Sequence, residues 1–203
     1  GCLLGPSGCG KTTTLRAIAG FEPVHQGEIQ LADTVISRAG FTLAPEKRRI
    51  GMVFQDFALF PHLTVADNIS FGLQQHSKAQ KAAKVKQLLQ LVGLPDLGQR
   101  YIHQLSGGQQ QQLAIARALA SEPRVLILDE PTEGIQPSII KDIGRVIRKL
   151  ADQGEMAIVL VEQFYDFAEE LADNYTVMAR GQVIANGQGA EMPEKGIREL
   201  VAI

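Results

Sequence analysis

Near the start of the chain, the residues Gly5-Pro6-Ser7-Gly8-Cys9-Gly10-Lys11-Thr12 have the pattern G-x-x-x-x-G-K-[ST]. Leu3 and Leu4 lead into this segment like the end of a buried strand, and the residues from Thr12 to Ala19 follow it as a predicted helix. Gly20 fits the stop signal of that helix. A strand, a glycine-rich loop and a helix in this order predict a loop that binds phosphate groups.

The residue types of this loop indicate its chemistry. The glycines let the backbone curl until successive N–H groups point inward and form an anion site at a helix N-terminus. Lys11 is expected to reach the β- and γ-phosphates of a nucleotide, and the Thr12 hydroxyl is expected to hold Mg²⁺, a cation that prefers oxygen ligands. The alternative is a chance glycine-rich turn, which the strand–loop–helix context disfavours.

Composition and charge limit the class of protein. The chain has 203 residues, of which 45% are hydrophobic and 21% charged, and its formal net charge is −2. These values are typical of a globular protein with one large domain or a core with a subdomain. The slightly negative charge argues against a dedicated nucleic-acid surface. No apolar run approaches the ~20 residues that span a bilayer.

The two cysteines favour a protein of a reducing compartment, and the start of the chain suggests a longer parent protein. Cys2 and Cys9 lie too near each other in sequence to predict a structural disulfide, and no cluster of His or Cys predicts a zinc site. No signal peptide is visible. Because Gly1 stands only a few residues before the phosphate-binding loop, we expect that the N-terminus of a longer protein is missing.

Strand and helix patterns alternate on both sides of a helical block. Apolar or alternating runs predict strands at 27–31, 34–36, 50–54, 125–128 and 157–161, and a closing hairpin at 175–178 and 182–185. Helices are predicted at 79–92, 137–150 and 164–172, the stretch 64–120 is mostly helical, 45–49 is a polar turn, and the last fifteen residues are uninformative. This order predicts an α/β fold with a mostly parallel sheet and an inserted α-helical subdomain. The boundaries are 1–55 for the first part of the core, 56–120 for the helical subdomain and 121–203 for the second part of the core.

Two acidic residues follow a continuous apolar run, Val125-Leu126-Ile127-Leu128. Such a run is typical of a strand buried on both faces of a parallel sheet. Asp129 at its end is expected to help hold Mg²⁺ near the phosphates. Glu130 is placed to polarise an attacking water as a general base. The alternative for Glu130 is a solvated loop acid.

A second potential anion site lies at Ser106-Gly107-Gly108-Gln109. Ser106 and Gln109 form an S-x-x-Q capping box, so simple helix capping is the alternative interpretation. A serine and two glycines at a helix N-terminus also favour an anion. Since one chain rarely needs two such helix ends for one nucleotide, we expect this end to contact the γ-phosphate bound to a partner subunit.

Together these motifs resemble the ATP-binding subunit of an ABC transporter over essentially the whole chain. Gly5 to Thr12 matches the Walker A motif, Gln55 the Q-loop glutamine, Leu105 to Gln109 the family signature, and Val125 to Glu130 the Walker B motif with its catalytic glutamate. The resemblance implies a P-loop ATPase fold, the cofactors ATP and Mg²⁺, and a head-to-tail dimer with two ATP molecules at the interface.

The resemblance also implies a set of site residues. Catalysis is assigned to Glu130, Gln55 and Gln163, and the metal to Thr12, Gln55 and Asp129. Nucleotide binding is assigned to Gly5, Pro6, Ser7, Gly8, Cys9, Gly10, Lys11, Thr12 and Thr13, with Ser106, Gly107, Gly108 and Gln109 acting on the nucleotide of the partner.

The implied partners are transmembrane permease subunits, a second ABC ATPase subunit and, indirectly, a periplasmic substrate-binding protein, with no nucleic acid. The chain is expected at the cytoplasmic side of the inner membrane as a peripheral protein. The segment after Gln55, through about Asn68, lies where the family docks its permease. Its apolar residues either supply that groove or pack inside the subdomain; they are Phe57, Leu59, Phe60 and Leu63.

The sequence departs from the family pattern at two positions. Gln163 stands where the family usually has a His that contacts the γ-phosphate, and Gln136 stands where the loop after Walker B usually has an Asp. Glutamine hydrogen-bonds but does not take up a proton near neutrality. Both departures resemble the urea and branched-chain amino acid branch, so we do not expect inactivation. The adenine-stacking aromatic of the family would precede Gly1.

The two halves resemble different branches. Gly1 to about Ser106 is similar to a ferric-iron transporter subunit, notably at Gly51–His62. From about Gln109 to Ile203 the chain is similar to a urea-transporter subunit, notably at Glu133–Ser138 and in its ending Arg198–Ile203. The sequence leaves open whether this mosaic is a natural recombinant, an artificial join or an assembly artefact.

The sequence is compatible with three functions. The first is a transport ATPase that imports ferric iron, urea or branched-chain amino acids. The second is a non-transport ABC ATPase acting on DNA or ribosomes, which the charge balance and the lack of basic arms disfavour. The third is an inactive nucleotide-binding fragment, which the intact hydrophobic pattern across the join disfavours.

Overall fold

The main sheet of the protein is parallel except at one edge. The structure is a computed structural model that describes residues 1–201, so Ala202 and Ile203 of the urea-like ending lie outside the described part. The six strands of the main sheet are β1 (Cys2–Leu4), β5 (Ile50–Val53), β6 (Val125–Asp129), β7 (Ala157–Glu162), β8 (Asn174–Ala179) and β9 (Gln182–Gln188). They have the order β5-β6-β7-β1-β8-β9, where β8 and β9 pair antiparallel and all other neighbours pair parallel.

Helices cover both faces of this sheet. They are α1 (Lys11–Ala19), α2 (Val65–Ser70), α3 (Lys78–Leu91), α4 (Gly107–Ala120), α5 (Pro137–Gln153), α6 (Tyr165–Leu171) and α7 (Ile197–Val201). Side chains of β6 alternate between the two faces. Ile127 packs with Leu15 of α1 on one face, and Leu128 belongs to the larger core formed with the other helices. All five residues of β6 are buried, as its apolar run predicts.

The helical block between β5 and β6 begins each helix with a side-chain cap. The Thr64 hydroxyl accepts from the Asp67 N–H, and Ser77 and Ser106 each form a capping box. Buried Ile69, Leu89 and Leu113 are among the side chains that join α2, α3 and α4 into the main hydrophobic core. The predicted α/β fold with a mostly parallel sheet and an α-helical insertion is confirmed, whereas the domain boundaries stay a prediction.

A separate three-stranded antiparallel sheet lies between α1 and β5. Its strands are β2 (Glu28–Leu31), β3 (Thr34–Arg38) and β4 (Phe41–Thr42), in the order β2-β3-β4. The sequence predicts β2 and β3 but misses β4, which is only two residues long and has no alternating pattern. The sequence gives no prediction for the last fifteen residues, where α7 forms with Ile197 and Val201 buried.

The predicted polar turn at 45–49 forms, as a 3₁₀ helix over Pro45–Lys47 followed by a turn. The sequence does not predict that Arg48 in this turn is buried, with 2% of its surface exposed. Its guanidinium donates to the carbonyl oxygens of Ala17 and Ile18 at the end of α1, at 3.0 and 2.7 Å. It also donates to the carbonyl oxygens of Leu43 and Ile36 and to the Ser37 hydroxyl. A cation at a helix C-terminus is electrostatically favourable, and here it joins the helix of the phosphate-binding loop to the small sheet.

Replacing Arg48 by Lys tests this junction. A lysine keeps the charge but loses the planar five-donor fork, so several backbone carbonyls lose their partners, and we expect a loss of about 2–4 kcal/mol in the free energy of unfolding. Urea unfolding followed by circular dichroism measures it. The neighbouring Arg49 is exposed, so Arg49→Lys is the matched control and should change stability by less than about 0.5 kcal/mol. Equal stabilities of the two variants would contradict the assignment.

Candidate active site

The glycine-rich loop is fixed by close contact with β8. An added Cβ at Gly5, whose φ is +152°, would lie 2.2 Å from the carbonyl oxygen of Met178, so only glycine fits there. The carbonyl oxygen of Cys9 accepts from the N–H of Gly181 at 2.8 Å. The hairpin of β8 and β9 therefore supports the loop.

Lys11 is buried at the first position of α1, with 4% of its surface exposed. Its ammonium donates to the carbonyl oxygens of Gly5 and Pro6 at 2.7 and 3.0 Å. It also lies 3.5 Å from Oε1 of Glu130. The single buried cation of the loop thus stands between the curled backbone and the predicted general base.

Asp129 ends β6 inside the protein, where it is 3% exposed. Burial raises the pKa of this carboxyl, and the neighbouring Glu130 charge raises it further, while the Thr12 hydroxyl and the Lys11 ammonium lower it. Within residues 1–201, Oδ1 of Asp129 has no hydrogen-bond partner. A buried, unpartnered carboxylate oxygen beside a threonine hydroxyl fits a hard cation such as Mg²⁺.

The donor set favours Mg²⁺ over a softer metal. No group of three His, Cys, Asp or Glu residues capable of holding a metal occurs in the described part of the chain. An ion here would take few protein ligands: the side chains of Thr12 and Asp129 lie together, and the third predicted ligand, Gln55, lines the same cavity as Thr12. Mg²⁺ commonly binds in this way, through one or two protein oxygens plus phosphate oxygens and water.

Glu130 has an unusual backbone conformation for a residue with a side chain. Its φ is +48°, in the left-handed region, which costs a non-glycine residue of order 1–3 kcal/mol. Its N–H donates to the carbonyl oxygen of Val161 at 2.9 Å, and its Oε1 accepts from Nε2 of Gln163 at 2.7 Å. The carboxylate is therefore aimed by two hydrogen bonds, one through its backbone and one through its side chain.

A cavity of about 240 Å³ brings most of the predicted site residues together. Gln55 enters it after β5, and its amide nitrogen donates to the Glu133 carboxylate. Sequence reasoning did not assign Glu133 a role; its place three residues after Glu130 was the available signal. The lining residues are Ser7, Gly8, Gly10, Lys11, Thr12, Thr13, Gln55, Glu130, Glu133 and Gln163.

The signature residues 106–109 do not line this cavity. Ser106 and Gly107 are exposed at the start of α4, and an added Cβ at Gly107 would meet no atom within 4 Å. By contrast, a Cβ at Gly108 would lie 2.9 Å from Cγ2 of Ile139 on α5. The packing of this chain therefore explains the glycine at 108 and leaves the glycine at 107 without an internal reason.

Glu162 is a second residue that sequence reasoning left without a role. It is 2% exposed at the end of β7, and burial raises its pKa to about 7, although hydrogen bonds from Thr132, Phe164 and Gln163 act in the opposite direction. An acidic residue next to Gln163 was the only sequence signal. Glu162 accepts hydrogen bonds from backbone N–H groups in the loops after β6 and β7, and it does not line the cavity.

A larger groove of about 620 Å³ lies at the amino ends of β5, β6 and β7. It includes Arg49, Arg124 and Met156 among its lining residues, and none of the predicted site residues. Open α/β sheets bind ligands at the carboxyl ends of their strands. The smaller cavity is therefore the candidate active site.

Residues 2–133 match the family model described as ABC transporter. The chain belongs to the ABC transporter family. It is 42% identical over 202 residues to the spermidine/putrescine import ATP-binding protein of Pseudomonas fluorescens, covering 98% of this chain and 55% of that protein. It is 46% identical over 192 residues to the sulfate/thiosulfate import ATP-binding protein of Gloeobacter violaceus, covering 94% and 55%.

A solved structure agrees with the fold of this family. The ATP-binding cassette MJ0796, described as a dimer in a post-hydrolysis state bound to ADP and Pi, superposes with a TM-score of 0.82 at 28% identity. The alignment covers 92% of this chain and 84% of that chain. The ABC ATPase fold is thereby confirmed. This ABC family chain spans about half the length of the curated relatives it matches, and neither the ferric-iron nor the urea resemblance is confirmed.

The raised pKa of Glu162 predicts a pH-dependent stability. Between the ordinary value of 4.5 and about 7, the folded protein keeps a proton that the unfolded chain has released. The stability that Glu162 contributes is therefore present at low pH and is lost as the pH rises through about 7.

Relative to Glu162→Gln, we expect the unfolding free energy of the wild type to fall by about 1–3 kcal/mol between about pH 5 and 8, since one pKa unit is worth about 1.4 kcal/mol. Chemical unfolding at several pH values measures this difference. A constant difference across that range would show that Glu162 titrates as it does in the unfolded chain.

Proposed function

We propose that the protein binds and hydrolyses ATP with Mg²⁺ as the ATP-binding subunit of an ABC importer. One observation carries the proposal: the Glu130 carboxylate faces the phosphate-binding loop, 3.5 Å from the Lys11 ammonium and bonded to Gln163. A carboxylate placed between a cation and a neutral amide donor can orient a water molecule and accept its proton. Membership of the ABC transporter family supports the assignment.

Each group of residues in the cavity has a separate role in the proposed reaction. The curled backbone and Lys11 bind the phosphates and stabilise the charge that develops during transfer. Glu130 orients the attacking water and accepts its proton, while Gln55 and Gln163 position the water and the γ-phosphate through their amides. Thr12 and Asp129, with Gln55, would hold Mg²⁺, which supplies charge neutralisation of the β- and γ-phosphates when bound.

The second half of the site is proposed to come from another ATPase subunit. Ser106, Gly107 and Gly108 present an exposed helix N-terminus, and such an end favours a phosphate. Gln109 holds the Ser106 N–H through its side chain at 3.0 Å, which fixes this end. MJ0796 is described as dimeric, which supports pairing with a second ATPase subunit.

The permease contact is proposed to lie on the segment after Gln55. The Phe60 ring contacts the Phe71 ring at an interplanar angle of 41°, with centroids 4.5 Å apart, and Phe71 is 51% exposed. Phe57 and Leu59 instead pack against the core, and Leu63 is half-buried. Phe60 and Phe71 thus present the apolar surface on which a permease would dock.

Cargo and location are proposed from the relatives. The named relatives import spermidine and putrescine or sulfate and thiosulfate; ferric iron, urea or branched-chain amino acids remain the cargos that the sequence predicts. A periplasmic substrate-binding protein would act indirectly, and no nucleic acid is involved. We place the protein at the cytoplasmic face of the inner membrane. No helix of the described residues is long and apolar enough to cross a membrane.

The first experiment is the mass of Glu130→Gln by light scattering, with and without ATP and Mg²⁺. Slowed hydrolysis should trap two subunits around ATP, so we expect the mass to double only with nucleotide. Lys11→Ala removes the phosphate-binding cation and should stay monomeric and lose ATP turnover. Unchanged turnover in Lys11→Ala would refute this site, and a Glu130→Gln monomer with bound ATP would refute the homodimer.

The two signature glycines offer a matched pair of variants. Gly107→Ala should leave the fold intact, because its Cβ meets nothing within this chain, yet it should reduce ATP-driven dimerisation and turnover by about tenfold or more if the partner's phosphates approach there. Gly108→Ala should lower the melting temperature, since Ile139 must move. Thermal melts and turnover assays separate the two effects. Full activity of Gly107→Ala would argue that Ser106–Gln109 only cap α4.

A further inference from the structure

The Glu162 carboxylate receives hydrogen bonds from two different loops. Its Oε1 accepts from the N–H of Thr132 at 3.3 Å, in the loop after β6. Its Oε2 accepts from the N–H groups of Gln163 and Phe164, each at 3.2 Å, in the loop after β7. The structure gives it no ion pair within residues 1–201. A buried carboxylate is thus compensated by backbone amides from both loops.

Each of these two loops delivers side chains to the candidate active site. In the first loop, Thr132 lies between Glu130 and Glu133, the partner of Gln55. In the second loop, Gln163 donates its side-chain amide to Oε1 of Glu130 at 2.7 Å. The spacing between Glu130 and Gln163 therefore depends on how far apart the two loops are held, and Glu162 spans that gap.

We propose that Glu162 is a positioning residue for ATP hydrolysis, holding the loops after β6 and β7 so that Gln163 reaches Glu130. The proposal rests on the ATPase function proposed above. Glu162 does not touch the nucleotide site; it acts through the backbone amides of Thr132, Gln163 and Phe164. Because Glu130 has a left-handed backbone, its aim depends on such external restraints.

Glutamine is the informative substitution because it is nearly isosteric. Glu162→Gln keeps one acceptor oxygen and replaces the other with an NH₂ group, which donates only. At one of the two loops, the new NH₂ donor then faces a backbone N–H donor, so that hydrogen bond is lost. The packing of β7 changes little. Glutamate is therefore needed for both loops at once, whereas burial alone would be satisfied equally well by glutamine.

The experiment combines steady-state ATPase kinetics with amide hydrogen exchange on the whole protein. For Glu162→Gln we expect kcat to fall at least tenfold and KM for ATP to change less than threefold, because the loop that binds phosphate is untouched. We expect exchange at the amide of Thr132, or at those of Gln163 and Phe164, to accelerate at least tenfold. Exchange along Ala157–Val161 should stay as in the wild type.

Two controls separate positioning from general destabilisation. Leu160→Ala opens a cavity in β7, where Leu160 is 2% exposed, and should lower the melting temperature with kcat within twofold of wild type when folded. Glu169→Gln makes the same chemical change on α6, where Glu169 accepts from the Tyr165 hydroxyl, and should leave kcat unchanged.

Each outcome decides the proposal. Unchanged kcat in Glu162→Gln, or unchanged exchange at all three amides, overturns it, as does a kcat loss that Leu160→Ala reproduces at equal thermal stability. If the wild-type protein itself fails to turn over ATP, the ATPase function fails instead. The exchange rates then still decide whether Glu162 holds the two loops.

Discussion

The contact between Gly5 and the Met178 carbonyl is the constraint on which the site depends. A side chain at position 5 would meet that oxygen at 2.2 Å, so the phosphate-binding loop can lie against β8 only with glycine at this place. Once it lies there, Cys9 accepts from Gly181, and Lys11 is turned towards Gly5, Pro6 and Glu130. The antiparallel hairpin at the edge of the sheet is therefore part of the nucleotide site, although it supplies none of the residues that line the cavity.

Much of this arrangement could be predicted from the sequence because its signals are local. The glycine-rich loop, the apolar run ending at Asp129 and the capping box at Ser106 each lie within a few neighbouring residues, and the structure forms the corresponding loop, strand and helix start. Because β1 and β6 run in the same direction in one sheet, Asp129 and the loop after β1 lie at the same edge, that of the carboxyl ends.

The features that sequence reasoning missed depend on distant partners. Arg48 looks like part of a polar turn until the carbonyl groups at the end of α1 surround it. Strand β4 exists only because β3 offers it an edge. Glu162 is an ordinary acid in sequence, and its burial follows from its place at the carboxyl end of a central strand. None of these three environments leaves a periodic or spaced pattern in the chain.

Position 163 is a glutamine in this chain, whereas the family usually has a histidine there, and the two side chains differ in how they respond to pH. An imidazole can change its charge near neutrality, whereas the Gln163 amide donates to Glu130 in the same way at any physiological pH. The group that titrates near neutrality lies one residue earlier, where burial raises the pKa of Glu162 to about 7. Glu162 contacts the backbone amides of Thr132, Gln163 and Phe164 and does not line the cavity, so this carboxyl is separated from the nucleotide site by the two loops that it joins.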